Sequence, residues 1–214
     1  MPDQGMSNQL EFFFFYGSTY TYLSVMRIEQ VAAEAGVNVR WRPFNVREIM
    51  IEQNNIPFRD KPVKMRYMWR DIERRAARYG IPFRGIPTYP VDPEYLANRV
   101  GVVAAIEGWC PEYTKAAYQA WFLEDKPPGE PEHLSSILRA LGKDAKAVTS
   151  LANSQEIRDR YDSETRIARE MGIFGSPTFV SGGEIFWGDD RLEDALEWRK
   201  SRPGSSKVGV EQHS

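Results

Sequence analysis

Ser18 and Thr21 set two hydroxyls three residues apart, where the apolar run Phe12 to Tyr16 gives way at Gly17 to a helical pattern. The start of a helix carries unpaired amides and the positive end of the peptide dipoles, so it favours an anion. A hydroxyl cannot cycle between thiol and disulfide. The junction therefore offers an electrostatic site without a redox couple, suited to a thiolate that a ligand brings and that Ser18 meets with one hydrogen bond. The plainer reading is that Ser18 caps the helix, a role worth about 1 kcal/mol. A second cluster, Gly188-Asp189-Asp190-Arg191-Leu192-Glu193, opens the last helical pattern. Asp190 and Glu193 have capping-box spacing, which accounts for one of the two adjacent aspartates. Backbone amides for a ligand carboxylate, beside an acid for a ligand ammonium, describe a site for an α-amino acid terminus, and a γ-glutamyl group fits.

Composition narrows what these residues can serve. A chain of 214 residues, 42% hydrophobic and 27% charged, supports one sizeable core, interrupted by an insertion. The net charge of −2, with no run of five like charges, points away from nucleic acid and membrane surfaces and toward a small molecule. Phe, Tyr and Trp make up 13% of the chain, enough to line a pocket for a flat apolar ligand and equally suited to a core. Cys110 is the only cysteine, which excludes an internal disulfide and fits a reducing cytoplasm. With His133 and His213 the only histidines, neither a metal site nor a Cys-His pair is expected. Met1 to Leu10 lacks the order of a secretory signal, and Phe12 to Tyr16 is far shorter than the roughly 20 residues of a membrane span.

The elements that must position these groups follow from periodicity. Leu10 to Tyr16 reads as a central strand buried on both faces. Thr19 to Ala35 reads as one helix stopped by Gly36, and Val37 to Trp41 as a second strand ended at Pro43, which completes a βαβ unit. Between Asn45 and Met171 helix boundaries dominate. Asp60 with Pro62 opens a helix closed by Gly80, Asp92 with Pro93 opens another closed at Gly108, and Pro111–Leu123, Pro131–Leu141, Asp144–Ala152 and Ser154–Met171 follow. Thr178 to Ser181, Gly182-Gly183 and Glu184 to Trp187 form a hairpin, then a helix runs from Asp190 to Lys200. The order βαβ, helical block, ββα is that of an α/β, thioredoxin-like fold with a large inserted all-helical domain. Residues 10–44 and 172–201 form the discontinuous thioredoxin-like domain, 45–171 the insertion, and 202–214 a small, polar tail expected to be disordered.

In that layout the junction at Ser18 and Thr21 is where redox proteins of the fold carry Cys-x-x-Cys, with the thiolate held by the helix start. Gly175-Ser176-Pro177-Thr178-Phe179 falls where the fold has a cis-proline whose preceding residue offers its N–H and C=O to an extended peptide. An ordinary Ser-Pro turn at a strand start is the other reading.

These stretches, together with Tyr16-Gly17-Ser18-Thr19-Tyr20-Thr21-Tyr22-Leu23, Arg42-Pro43-Phe44, Asn55-Ile56-Pro57, Lys64 with Tyr67, Tyr79-Gly80-Ile81-Pro82 and Trp187-Gly188-Asp189-Asp190-Arg191, resemble the 2-hydroxychromene-2-carboxylate isomerases. These belong to a DsbA-like group that also contains kappa-class glutathione transferases, and the resemblance spans Leu10 to Arg199. It implies glutathione as cofactor, with Ser18 at its sulfur, Ser176 and Pro177 at its cysteinyl backbone, Gly188, Asp189 and Asp190 at its γ-glutamyl end, and Asn55 nearby. It implies a cytoplasmic homodimer of aromatic catabolism, such as naphthalene degradation. The reaction would interconvert 2-hydroxychromene-2-carboxylate and trans-o-hydroxybenzylidenepyruvate by reversible thiolate addition. Lys64, Arg42 and Tyr20 are the candidates for the aromatic carboxylate substrate, and the two cations fit a solvated surface equally well. Two departures stand out: Thr19 replaces a usual proline, and Asn45-Val46-Arg47-Glu48 replaces an apolar, glycine-containing loop. The competing activities are a kappa-like transferase or peroxidase, and non-catalytic binding of glutathione or a peptide. A dithiol oxidoreductase is excluded, because neither Ser18 nor Thr21 carries sulfur.

Overall fold

The computed structural model describes residues 8–55, 58 and 60–201. The expected tail, and Ile56-Pro57 of the Asn55-Ile56-Pro57 stretch, lie outside the described residues. In chain order the elements are β1 (Gln9–Phe14), α1 (Thr21–Val25), α2 (Ile28–Ala35), β2 (Asn38–Pro43), α3 (Val46–Glu52), α4 (Pro62–Tyr79), α5 (Leu96–Glu107), α6 (Cys110–Glu124), α7 (Pro131–Ala140), α8 (Ala145–Ala152), α9 (Gln155–Glu170), β3 (Thr178–Ser181), β4 (Glu184–Trp187), a 3-10 turn at Asp189–Arg191 and α10 (Leu192–Ser201).

β1 is apolar because it is covered on both sides. The sheet order is β2-β1-β3-β4, with β2 parallel to β1, and β3 antiparallel to both β1 and β4. Side chains alternate across a strand, so Phe12 and Phe14 enter the larger core with α2, α5, α6 and α10, while Phe13 and Phe15 enter a smaller one with Val46 and Ile49 of α3 and Ala168 of α9. Phe12 stacks on Phe179 of β3 at 5.3 Å and meets the edge of Trp41 of β2 at 5.1 Å, and these aromatic pairs reinforce the register. Pro43 closes β2 opposite Phe14, and β2 is an edge strand, where a residue without an N–H is tolerated.

β1 ends at Phe14 rather than Tyr16 and β2 runs on to Pro43, and three helix boundaries also differ from the sequence reading. The single helix expected from Thr19 to Ala35 is two, broken at Met26 and Arg27. Arg27 leaves helical geometry at φ −132°, while its guanidinium reaches the Asp189 carbonyl (2.6 Å) and Glu193 and lies 4.2 Å from the Tyr79 ring centre. A tertiary anchor therefore overrides local propensity. The helix expected to open at Asp92 begins at Leu96 instead, because Asp92 and Tyr95 adopt positive φ. Asp92 still serves the helix start, its carboxylate accepting from the amides of Ala97 (3.1 Å) and Asn98 (3.2 Å). The last helix begins at Leu192 after the 3-10 turn, and no side chain caps that turn, so the Asp190–Glu193 capping box does not form. Asp190 pairs with Arg191 and Glu193 with Arg27.

The helical block fixes the end of β1. Asn98 of α5 accepts the Tyr16 amide (3.1 Å) and is itself held by Asp92 through Nδ2 (2.7 Å). The Tyr16 hydroxyl bonds Thr114 of α6 at 2.7 Å, and its ring lies against Gly101 of α5. A Cβ at Gly101 would stand 2.5 Å from Tyr16 Cε2. We expect Gly101→Ala to destabilise the protein by about 1–3 kcal/mol through overpacking. The urea midpoint should fall with an unchanged slope, and an unaltered midpoint would show that Tyr16 relaxes freely.

Candidate functional site

At the end of β1 the chain turns so that the Ser18 amide bonds the Phe15 carbonyl at 2.8 Å. Ser18 does not begin the helix. Its hydroxyl instead donates across the fold to the Ser176 carbonyl at 2.8 Å, so neither the expected helix position nor the cap role holds. Thr21, the first residue of α1, shares a 3.0 Å hydroxyl contact with Ser176 Oγ, which also accepts the Phe15 amide (3.1 Å). Both hydroxyls at the Cys-x-x-Cys positions thus turn to Ser176. The Ser176–Pro177 peptide is cis, as the fold leads one to expect.

What could hold an anion here is local. α1 has five residues, too few for a sizeable helix dipole. The amides of Thr19, Tyr20 and Thr21, which follow Ser18 in sequence, however, find no acceptor among the described residues. Tyr118 of α6 pins the turn from behind, its hydroxyl donating to the Phe15 carbonyl (2.8 Å) and lying 3.1 Å from that of Ser18. Thr19 is buried and donates to Met68 of α4, which ties the helix start to that helix.

The acidic turn is coupled to the cis-proline loop. The Gly188 amide donates to the Pro177 carbonyl at 3.0 Å, which brings Asp189 to the same end of the sheet. Asp189 is buried, with 1% of its surface exposed. Burial pushes its carboxyl up to about 7, against the opposing pull of Arg75 and with help from Asp190. Arg75 Nη2 stands 3.0 Å from Oδ2 without hydrogen-bond alignment, and Oδ2 has no hydrogen-bond partner among the described residues. Asp190 is exposed, within 3.8 Å of Arg75. Beside them lies a cavity of about 540 Å³ lined by Asp71, Arg75, Arg78, Tyr79, Asp190 and Glu193. Charges of both signs around a recess, Asp71, Asp190 and Glu193 with Arg75 and Arg78, fit an amino acid terminus that carries ammonium and carboxylate together. On that test glutathione fits the residues present.

The other expected residues divide. Tyr20 belongs to this cluster, but its hydroxyl donates to Asp71 at 3.0 Å, and burial followed by that carboxylate holds its pKa high, so it stays neutral. Arg42 is not brought to Ser18. It is 6% exposed, paired with Glu11 (2.5 Å) and Glu164 (2.7 Å) and laid on the Phe13 ring, so its charge is neutralised toward the start of β1. Asn55 and Lys64 are exposed and form no hydrogen bond with the Ser18 loop, and Lys64 lies 5.9 Å from the Phe58 ring. Cys110 is buried and pushed up to about 12 by burial, which leaves it inert. Sequence reasoning missed Arg75, Arg27 and Tyr118. Arg75 lies one turn after Asp71 on α4, a helical spacing that was visible, whereas nothing near Tyr118 marks it.

The model of the DSBA-like thioredoxin domain matches residues 9–197. A 2-hydroxychromene-2-carboxylate isomerase of Pseudomonas putida is 28% identical over 188 residues, covering 86% of this chain and 90% of that protein. Glutathione S-transferase kappa 2 of Caenorhabditis elegans is 22% identical, with 88% and 90% covered. The solved structure of a 2-hydroxychromene-2-carboxylate isomerase superposes with a TM-score of 0.80 at 27% identity, covering 90% of this chain and 94% of that one.

Asp189 gives the site a pH signature. Its folded pKa is raised above the unfolded value of about 3.9, so the folded state holds the extra proton and stability falls as pH rises through about 7. We expect Asp189→Asn to gain stability over the parent as pH climbs from about 4 to 7. Urea midpoints of both proteins across that range test this, and parallel curves would remove the titration from Asp189.

Proposed function

The chain belongs to the DsbA-like thioredoxin domain family, and on that footing we propose that it is a glutathione-dependent isomerase acting on 2-hydroxychromene-2-carboxylate or a related aromatic carboxylate. What carries the reading is the grouping at the end of β1: the Ser18 and Thr21 hydroxyls on Ser176, with three amides of the same loop without acceptors and a hydroxyl at each position where the fold's redox proteins carry a thiol. Identity to isomerases over most of both chains supports the reaction class, and the kappa-transferase relative supports glutathione.

When bound, glutathione supplies a thiolate that adds reversibly to the conjugated carbon and turns a double bond into one that rotates. The chain's task is to have that sulfur ionised near neutral pH, although a free thiol titrates at about 8.5. The amides of Thr19 to Thr21 face the anion, and the Ser18 hydroxyl rotates from the Ser176 carbonyl to donate to it. The Ser176 carbonyl is then free for the N–H of an extended ligand backbone, and cis-Pro177 holds it in place. Asp190, which lines the recess, meets the ligand ammonium with Asp189 buried behind it against Arg75, while Arg75 and Arg78 border the recess for its carboxylate. Buried aromatic side chains below the loop, Tyr16, Tyr22 and Tyr118, keep water from the back of the turn.

Replacing Ser18 by Ala removes a hydrogen bond to a charged group, worth about 1.5–3 kcal/mol. We expect the pH midpoint of bound-glutathione thiolate absorbance to rise by about one unit, with turnover at neutral pH about tenfold lower. Chromene carboxylate isomerisation followed optically, with and without glutathione, checks the whole reading. Turnover that ignores glutathione would overturn it, and conjugation of chlorodinitrobenzene without isomerisation would favour the transferase.

A further inference from the structure

With Arg42 neutralised and Lys64 exposed, the guanidinium that lies against the Ser18 loop is one the sequence did not single out. Arg47 sits on the first turn of α3, in the stretch Asn45-Val46-Arg47-Glu48. Its Nη1 and Nη2 donate to the carbonyls of Asp92 (2.9 Å) and Val91 (2.5 Å). Its plane covers the Phe15 ring, 4.6 Å from the centre, with Tyr95 at 5.8 Å. It also lies on Gly17, the neighbour of Ser18, where a Cβ would come within 2.8 Å of Nη2. Glycine at 17 is what lets the cation approach the loop so closely.

The charge of Arg47 is only partly spent: it acts at a distance on the buried Asp92 carboxylate, without an ion pair there. Both of its acceptors are neutral carbonyls, and it forms no ion pair with any of the described residues. The nearby Asp92 carboxylate is occupied by the Ala97 and Asn98 amides and the Asn98 side chain. Other half-buried or buried arginines at this end differ: Arg27 pairs with Glu193, and Arg75 with Asp189. A guanidinium has five N–H donors in a planar fork suited to carboxylate, and two carbonyls leave part of that fork unused. A partly buried cation with free donors gains more from a carboxylate than a solvated lysine does.

We propose that Arg47 receives a carboxylate of the ligand docked at Ser18. The inference rests on the function proposed above and deepens it. Two carboxylates qualify, that of the aromatic substrate and the glycyl carboxylate of glutathione.

The test compares Arg47→Gln and Arg47→Lys with the parent, each checked by thermal melting. KM and kcat are measured for 2-hydroxychromene-2-carboxylate and for trans-o-hydroxybenzylideneacetone, which lacks the carboxylate. Calorimetric Kd values are measured for glutathione and its glycyl amide. We expect Arg47→Gln to weaken one of the two carboxylate ligands at least tenfold while changing its uncharged counterpart less than twofold, with Arg47→Lys recovering part of the loss. The arm that responds names the source. Equal losses with charged and uncharged partners would mark Arg47 as merely structural and overturn the proposal, as would no loss in either arm. Should the parent protein fail to isomerise the chromene, the function falls separately. Arg47 is then read from binding of salicylate against salicylamide, where equal affinity in parent and Arg47→Gln for both ligands defeats the assignment.

Discussion

The site depends on one docking contact, that of the Ser176–Pro177 turn with the end of β1. Ser176 takes the Phe15 amide on its hydroxyl and the Ser18 hydroxyl on its carbonyl, and it shares a hydrogen bond with Thr21. Three groups from one junction thereby converge on a single residue far along the chain. The antiparallel pairing of β3 with β1 brings that residue into place, and the buried ring pair Phe12–Phe179 sits in the middle of it. Loss of this register would separate the serine from the loop, because a one-residue slip turns every side chain of a strand to the other face.

Around that contact the helices act as braces. α5 and α6 hold Tyr16 and the carbonyls behind Ser18 through Asn98, Thr114 and Tyr118, while α4 reaches over the front with Met68, Asp71 and Arg75. The block between the two halves of the sheet is therefore part of the site. One apolar cluster runs from Leu10 of β1 through Trp121 of α6 to Leu196 of α10, with no seam between sheet and helices. Arg27 explains why the helix after Ser18 is broken: its side chain ties that segment to Asp189 and Glu193, so the acidic turn and the serine loop share an anchor.

Much of this was legible in the residues. The apolar run of β1, the hairpin at Gly182-Gly183 and the glycine stops at Gly36, Gly80 and Gly108 each carry their own local physics, and the elements appear where those signals lie. The cis-proline at Pro177 was legible only through the thioredoxin-like layout, since Ser-Pro alone fits an ordinary turn equally well. What misled was what depends on distant partners. Arg42 has the residue type of an anion binder, but Glu11 and Glu164 claim it. The start of α5 moved because Asp92 and Tyr95 take positive φ, which their residue types do not announce, and the capping box at Asp190 failed because Arg27 took Glu193. Arg47 carries no motif; its place appears only once α3 has packed beneath Phe15.

The hydrogen bond from Gly188 to the Pro177 carbonyl has a consequence for selectivity. It closes the hairpin so that the turn proposed to meet a ligand's backbone and the acidic turn proposed to meet its ammonium form one stiff piece of main chain. Their separation is then a gauge cut by the sheet, which long side chains cannot stretch to suit. A tripeptide whose first residue is joined through its side-chain carboxyl is longer between those two contacts than its ordinary α-linked isomer, so on the proposed reading a fixed gauge would tell the two apart by reach alone.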